Sequence, residues 1–294
     1  MPRPTEAVNL QHARLVNLAG MAAVAVVVIL ILIKLIAWFM SGSVSLLASL
    51  LDSTMDAAAS IFNLIAIRYA LQPADEEHRF GHGKAESIAG LIQSAFIAGS
   101  AAFLWLHAID RLLAPHPVQH TNIGIAVMVI SMTLTFSLVA FQKYVVRKTQ
   151  STAIAADSSH YASDLLVNAS IIVVLLLNQF LWEGADAVLG FIIAFYIFYN
   201  AGTIAFTAMH SLLDHELPSH LRQQIMKIVE AHPQVRGLHE LRTREAGHLQ
   251  FIQMHVDLDK SINLQQAHDI ADEIEASLTI HFPRADILIH PDPV

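Results

Sequence analysis

The amino-acid sequence predicts a membrane domain of six spanning α-helices, residues 1–210, followed by a soluble α+β domain, residues 211–294, with a ferredoxin-like α-β-β-α-β order. Three observations predict it. The 294-residue chain is 54% hydrophobic and only 14% charged, with a mean hydropathy of +0.50, which is too apolar for an ordinary soluble domain. Apolar runs of transmembrane length cease near His210, where charge density rises. Beyond that break the apolar residues recur alternately at helical and at two-residue spacing, the pattern of a small two-layer domain.

Six stretches can each supply the ~20 residues that a bilayer core requires: about 16–40, 45–71, 87–113, 121–145, 155–181 and 185–209. An even number of spans puts both termini on one side. Arg3 and Arg14 precede the first span, Arg79 and Lys84 lie between the second and third, and Lys143, Arg147 and Lys148 close the fourth. On the other face only Arg111 stands near a loop. The positive-inside rule therefore places the termini and the two basic loops in the cytoplasm of a multi-pass plasma (inner) membrane protein. The short polar N-terminus lacks a small-residue cleavage site, so the first span is read as retained. In the tail, Pro218 followed by Leu221, Ile225, Ile228 and Val229 reads as a helix that ends before Pro233. Leu238 to Arg244 and Leu249 to Leu258 read as strands joined at Ala246 and Gly247. Leu264, Ala267, Ile270, Ala271, Ile274 and Leu278 give a second amphipathic helix, and Ala285 to His290 a last strand.

Composition also excludes. With Cys 0 there are neither disulfides nor thiolate metal sites, so a bound metal must be held by His, Asp, Glu or backbone oxygen. The net charge of -8 and the lack of a long basic run argue against a nucleic-acid partner. Neither GxGxxG nor GxxxxGK[ST] occurs, so no nucleotide and no organic cofactor are implied, and Gly81 and Gly83 fit a tight turn instead.

The second and fifth spans are the unusual ones. They carry Asp52, Asp56, Asn63, Asp157, His160, Asp164 and Asn168 among Ala, Ser, Leu and Val. Each ionisable group inside a span costs roughly 2.5–3.5 kcal/mol on insertion scales, and is tolerated where it pairs, binds an ion or lines a pathway. Asp52 with Asp56, and His160 with Asp164, are spaced i,i+4, so each pair projects from one helix face. Small residues such as Ala48, Ser49, Ser53, Ala57 to Ser60, Ser163 and Ala169 let two backbones approach closely. If the two helices touch, the quartet supplies the tetrahedral N/O set that Zn²⁺ prefers. Simple interhelical hydrogen bonding is the plainer reading, but three carboxylates together repel unless a cation or protons neutralise them. Lys34, about two turns from the outer end of the first span, is read as snorkelling to the interface.

The segments SLLASLLDSTMDAAAS at Ser45 to Ser60, FGHGKAE at Phe80 to Glu86 and ADSSHYASD at Ala156 to Asp164 resemble the cation diffusion facilitator family, above all its bacterial YiiP-type members. The resemblance covers essentially the whole chain. It implies a homodimer that exports divalent metal in exchange for protons, with the transport site on Asp52, Asp56, His160 and Asp164. It implies a loop metal site at Asp75, His78 and His82, residue types that suit Zn²⁺ in an accessible loop. It further implies a binuclear metal site at the dimer interface of the tails, built by His239, His255, His268, His290 and Asp292, with Asp292 bridging or completing a shell. Lys84 and Asp214 are implied as an interlocking charge pair where the membrane domain meets the tail. His215, His220, His232, His248 and His281 match no ligand position and are read as ordinary surface histidines.

The function expected is therefore that of a secondary transporter, not an enzyme. It exports Zn²⁺, with Fe²⁺ and Cd²⁺ as alternatives, by proton antiport across the lipid bilayer. Zn²⁺ is its substrate and also a structural or regulatory ion. Proton coupling has a separate chemical basis, because metal binds deprotonated carboxylates and neutral imidazole, so protonation ejects it. A His among carboxylates favours Zn²⁺ over Mg²⁺ or Ca²⁺, while the lack of a second His at Asp52 leaves a harder, more permissive site. A membrane metalloenzyme is disfavoured, since HExxH is absent and four ligands leave no open position for water. A passive metal channel or membrane metal sensor is the surviving alternative, although a closed four-ligand site holds an ion too tightly for channel flux.

Overall fold

The computed structural model describes residues 4–41, 44–113, 122–177 and 185–294. Six long helices come first: α1 (Pro4–Ser41), α2 (Val44–Ala70), α3 (Lys84–Leu113), α4 (Asn122–Thr149), α5 (Thr152–Leu177) and α6 (Ala185–Leu212). Among the described residues, five stretches are long and apolar enough to cross a membrane, over Gln11–Met40, Ser49–Ala70, Lys84–Asp110, Ala126–Thr149 and Val188–Leu212. Helix α5 is 26 residues long, enough to span, and the side chains of its apolar end, residues 171–177, lie outside the described residues. Its first half is made polar by Asp157, His160 and Asp164. Arg3 and the span limits expected at 121 and 178–181 lie outside the described residues, as do the side chains of Ala48 and Arg111.

By compactness the chain divides into two units. One comprises Leu15–Gln72 and Ala85–Met209, the other the N-terminal residues up to Arg14, Pro73–Lys84 and His210–Val294. In the helical unit α5 lies beside both α4 and α2. Val16, Ala19, Ile67, Ala89, Val145, Ala153 and Ile154 bring five helices together in one buried cluster of mostly small or branched side chains. Polar ties fix the register of α5. Ser60 and Tyr161 share a hydroxyl hydrogen bond of 2.6 Å, Asn63 donates to the Ala153 carbonyl at 3.4 Å, and Gln142 donates to the fully buried Asp157 at 2.6 Å. Glu86, buried on α3, accepts from the Ser151 hydroxyl and from the backbone N–H groups of Thr152 and Ala153. A carboxylate thus satisfies orphan donors at the N-terminus of α5.

The tail follows the expected order: α7 (Ser219–Glu230), β1 (Gly237–Ala246), β2 (Leu249–Leu258), α8 (Leu264–His281) and β3 (Ala285–Pro293). The sheet order is β1-β2-β3, antiparallel between β1 and β2 and parallel between β2 and β3. Asn263 caps α8 in a capping box with Gln266. Gly247, at φ +61, makes the two-residue hairpin between β1 and β2. Ile252, Met254, Val256 and Leu258 alternate along β2 into a core with Ile225, Val229, Ile270, Ile274 and Leu278 from the two helices. Strand alternation therefore sends Gln253, His255 and Asp257 to the opposite, open face. A bulge between His239 and Arg242, with Glu240 at φ +47, lets Leu238 and Leu241 both reach the core while His239 stays on the open face.

Candidate metal centres

The intramembrane cluster is built where α2 meets α5. Asp56 Oδ1 lies 3.1 Å from His160 Nε2, and Asp164 Oδ2 lies 3.9 Å from the same nitrogen. Ligand atoms of these three residues all fall within 4.8 Å of one another. Their side chains are 18%, 6% and 33% exposed, so the imidazole is the innermost group and the carboxylates face outward around it. Asp52, the fourth expected residue, is not part of that trio. It sits one turn from Asp56 on the same face of α2, exposed, with Asp56 and His160 close enough to act on its charge. Neighbouring carboxylates repel one another unless a cation or protons neutralise them, which disfavours Asp52 joining the trio.

Lys34 does not snorkel. Its Nζ donates to Ser53 Oγ at 2.6 Å and to the Ser49 carbonyl at 3.1 Å, both on α2. The amine thus satisfies its hydrogen bonds on α2, within the field of Asp52, Asp56 and Asp164.

The loop cluster is held by Asp75, which accepts the backbone N–H groups of Glu77 at 3.0 Å and His78 at 2.6 Å. Its two oxygens also lie 3.3 Å from His78 Nδ1 and 3.3 Å from His82 Nε2, and the two rings are 4.5 Å apart. The backbone hydrogen bond from His78 is the main reason the Asp75 carboxyl is held below its ordinary value. Accessibility is uneven: Asp75 and His78 are exposed, but His82 is buried. Gly81, at φ +78, makes the expected turn. Gly83 serves close approach instead, since a Cβ there would overlap the carbonyl oxygen of Ala246.

On the open face of the sheet, His239 pairs with His255 across β1 and β2, and His255 with His290 across β2 and β3. Asp292 gathers them. One oxygen lies 2.8 Å from His255 Nδ1 and 3.3 Å from His239 Nε2, the other 3.4 Å from His290 Nε2. The hydrogen bond from His255 holds the Asp292 carboxyl below its ordinary value, helped by the fields of all three imidazoles. His268 stands outside this cluster, 67% exposed on α8, with Asp272 one turn away. Sequence reasoning missed Asp257, 3.2 Å from His239 Nε2. The signal was available, because Asp257 is two residues from His255 and so shares its face of the strand.

Lys84 pairs with Asp214 at 2.9 Å. The same carboxylate takes Arg244 at 3.2 Å, and Arg244 stacks over Phe251 at 4.6 Å and Phe80 at 4.9 Å. Arg244 was not legible beforehand, since only the strand register sets it opposite Phe251. Asp214 occupies the left-handed position, φ +57, that ends α6. Glycine is the usual residue there, but glycine has no carboxylate for the two cations. Burial raises the pKa of Asp214, yet hydrogen bonds from Lys84 and Arg244 outweigh it and hold the carboxyl below the ordinary 3.8. The folded state has the lower pKa, so this contribution is complete above the unfolded value and lost as pH falls through the folded one. Both partners are partly exposed, which limits it to about 0–1 kcal/mol. Asp214→Asn is expected to lower the melting temperature of the solubilised chain slightly at about pH 6 and by less at about pH 3. An equal loss at both would assign the effect to the backbone at φ +57.

A bundle of long apolar helices with an ionisable cluster inside it, joined to a tail faced with imidazoles, defines a multi-pass membrane protein that handles cations. Residues 20–213 match the family model described as the cation efflux transmembrane domain, and residues 217–294 match that of the cation efflux protein, cytoplasmic domain. The chain is 49% identical over 286 residues to the cation-efflux pump FieF of Klebsiella pneumoniae subsp. pneumoniae, covering 97% of this chain and 95% of that protein. It is 48% identical over the same shares to the FieF pump of Salmonella newport. Among solved structures, the metal-bound C-terminal domain of the CzcD transporter from Thermotoga maritima is 25% identical with a TM-score of 0.25, covering 25% of this chain and 87% of that one. The chain belongs to the cation efflux family, the cation diffusion facilitators, and is a cation efflux transporter.

Proposed function

We propose that the chain exports divalent metal, Zn²⁺ foremost with Fe²⁺ or Cd²⁺ also accepted, from the cytoplasm by proton antiport through Asp52, Asp56, His160 and Asp164. The observation that carries this reading is the convergence of Asp56, His160 and Asp164 within 4.8 Å between two helices of an apolar bundle. An imidazole and carboxylates exchange metal for protons at one place, because each ligand binds one or the other. Residues 1–210 form the transport domain and residues 211–294 a cytoplasmic metal-binding dimerisation domain, with both termini cytoplasmic at the inner membrane. The Asp75, His78 and His82 loop and the His239, His255, His290 and Asp292 face bind further metal that steadies or regulates a homodimer. In that dimer, His268 reaches the tail cluster of the second copy, which accounts for its distance from its own.

The test is zinc flux in sealed proteoliposomes with an imposed pH gradient. Uphill uptake that follows the gradient is expected, and its loss in Asp52→Ala ties it to this site. Downhill flux indifferent to the gradient would replace the antiporter with a channel, and binding without flux would replace it with a sensor.

A further inference from the structure

Lys34 lies on α1, yet its amine is committed to α2, at 2.6 Å from Ser53 Oγ and 3.1 Å from the Ser49 carbonyl. Ser53 is 1% exposed. Those two acceptors flank Asp52 on the turn before Asp56, and the Lys34 charge acts on Asp52, Asp56 and Asp164 together. A simple tie between two helices would be served by a neutral donor, without the cost of placing an ammonium inside a span.

Charge arithmetic gives the amine a purpose. Three carboxylates with a neutral imidazole carry three negative charges, and Lys34 reduces that to two. A divalent cation then makes the loaded site neutral, whereas without Lys34 one negative charge remains uncompensated in a low-dielectric bundle. The same fixed charge repels the incoming cation, so it limits affinity and favours release.

We infer that Lys34 is a resident counter-cation of the intramembrane cluster, a positioning residue that matches the site to divalent charge and keeps its affinity low enough for release. This rests on reading the cluster as the transport site. Serine partners hold the amine beside the carboxylates and leave them free to ligate metal. Charge, and not the hydrogen bond to Ser53, is the property that matters.

The test compares Lys34→Gln, Lys34→Met and Lys34→Arg in the full chain. Zn²⁺ affinity is read by equilibrium dialysis, using the binding phase that Asp56→Ala removes, and flux is read in proteoliposomes. Gln keeps a donor for Ser53 and loses the charge, so Gln and Met alike are expected to bind about tenfold tighter or more. Both should transport with lower KM and lower kcat, and Arg should stay near wild type. Unchanged or weaker binding in Lys34→Gln would overturn the inference, as would a Gln variant that behaves as wild type while Met alone is impaired. Should Lys34→Met fail to fold, Gln and Arg decide. Wild-type protein that binds but does not transport would sink the antiporter reading, while the affinities would still decide the role of Lys34.

Discussion

Asp56→Ala is expected to abolish gradient-driven zinc uptake. The residue is one half of the 3.1 Å contact with His160, and losing an anionic ligand of the trio should cost at least the about 10- to 100-fold in metal affinity that losing an outer-shell partner does. The protein should still be expressed and elute as wild type, because the α2–α5 contact keeps the Ser60–Tyr161 and Asn63–Ala153 ties. His160→Ala should behave differently. It leaves three carboxylates that still bind metal, more weakly, but removes the one nitrogen ligand, which holds either a proton or the metal. Its expected signature is reduced affinity with an altered number of protons exchanged per metal. Flux retained in Asp56→Ala, or an unchanged proton count in His160→Ala, would remove the quartet from the transport path.

The sequence made this cluster legible because helical geometry is local. Spacing of i,i+4 places Asp52 with Asp56 and His160 with Asp164 on single faces without knowledge of any neighbour. Contact between the two helices was an inference from polarity, and the Asp56–His160, Ser60–Tyr161 and Asn63–Ala153 contacts establish it. Lys34 shows the limit. Its position along the first span is readable, but whether a long flexible side chain runs to the interface or crosses to the next helix depends on what faces it. Tail elements were legible to within a few residues, because amphipathic alternation is strong there. Cross-strand neighbours were less so: Asp257 and Arg244 find their partners only once the register and the bulge after His239 are fixed. The packing role of Gly83 likewise arises from a contact distant in sequence, with Ala246.

Asp292→Ala is expected to have the largest effect in the tail. Its carboxylate is the group common to all three imidazoles, at 2.8 Å from His255, 3.3 Å from His239 and 3.4 Å from His290. Metal placed there would share one anionic ligand among neutral nitrogens, so losing it removes both a donor and the charge that offsets the cation. Zn²⁺ bound by the tail should fall in affinity by at least the about 10- to 100-fold that losing an outer-shell partner costs, while the intramembrane phase lost in Asp56→Ala persists. Asp257, beside His239 at 3.2 Å, offers a weaker substitute, and Asp292→Ala with Asp257→Ala should be more severe than either alone. His268→Ala separates a one-chain site from a shared one. In a single chain His268 is remote from the cluster, so its loss should leave tail binding intact unless a second copy delivers it. If His268→Ala weakens tail metal binding, and sedimentation of the solubilised full chain shows zinc-dependent dimerisation weakened in both variants, the metal joins two copies. Unchanged binding and dimerisation in His268→Ala would instead confine the metal to His239, His255, His290 and Asp292 of one chain. The tail metal would then stabilise the sheet and not the dimer.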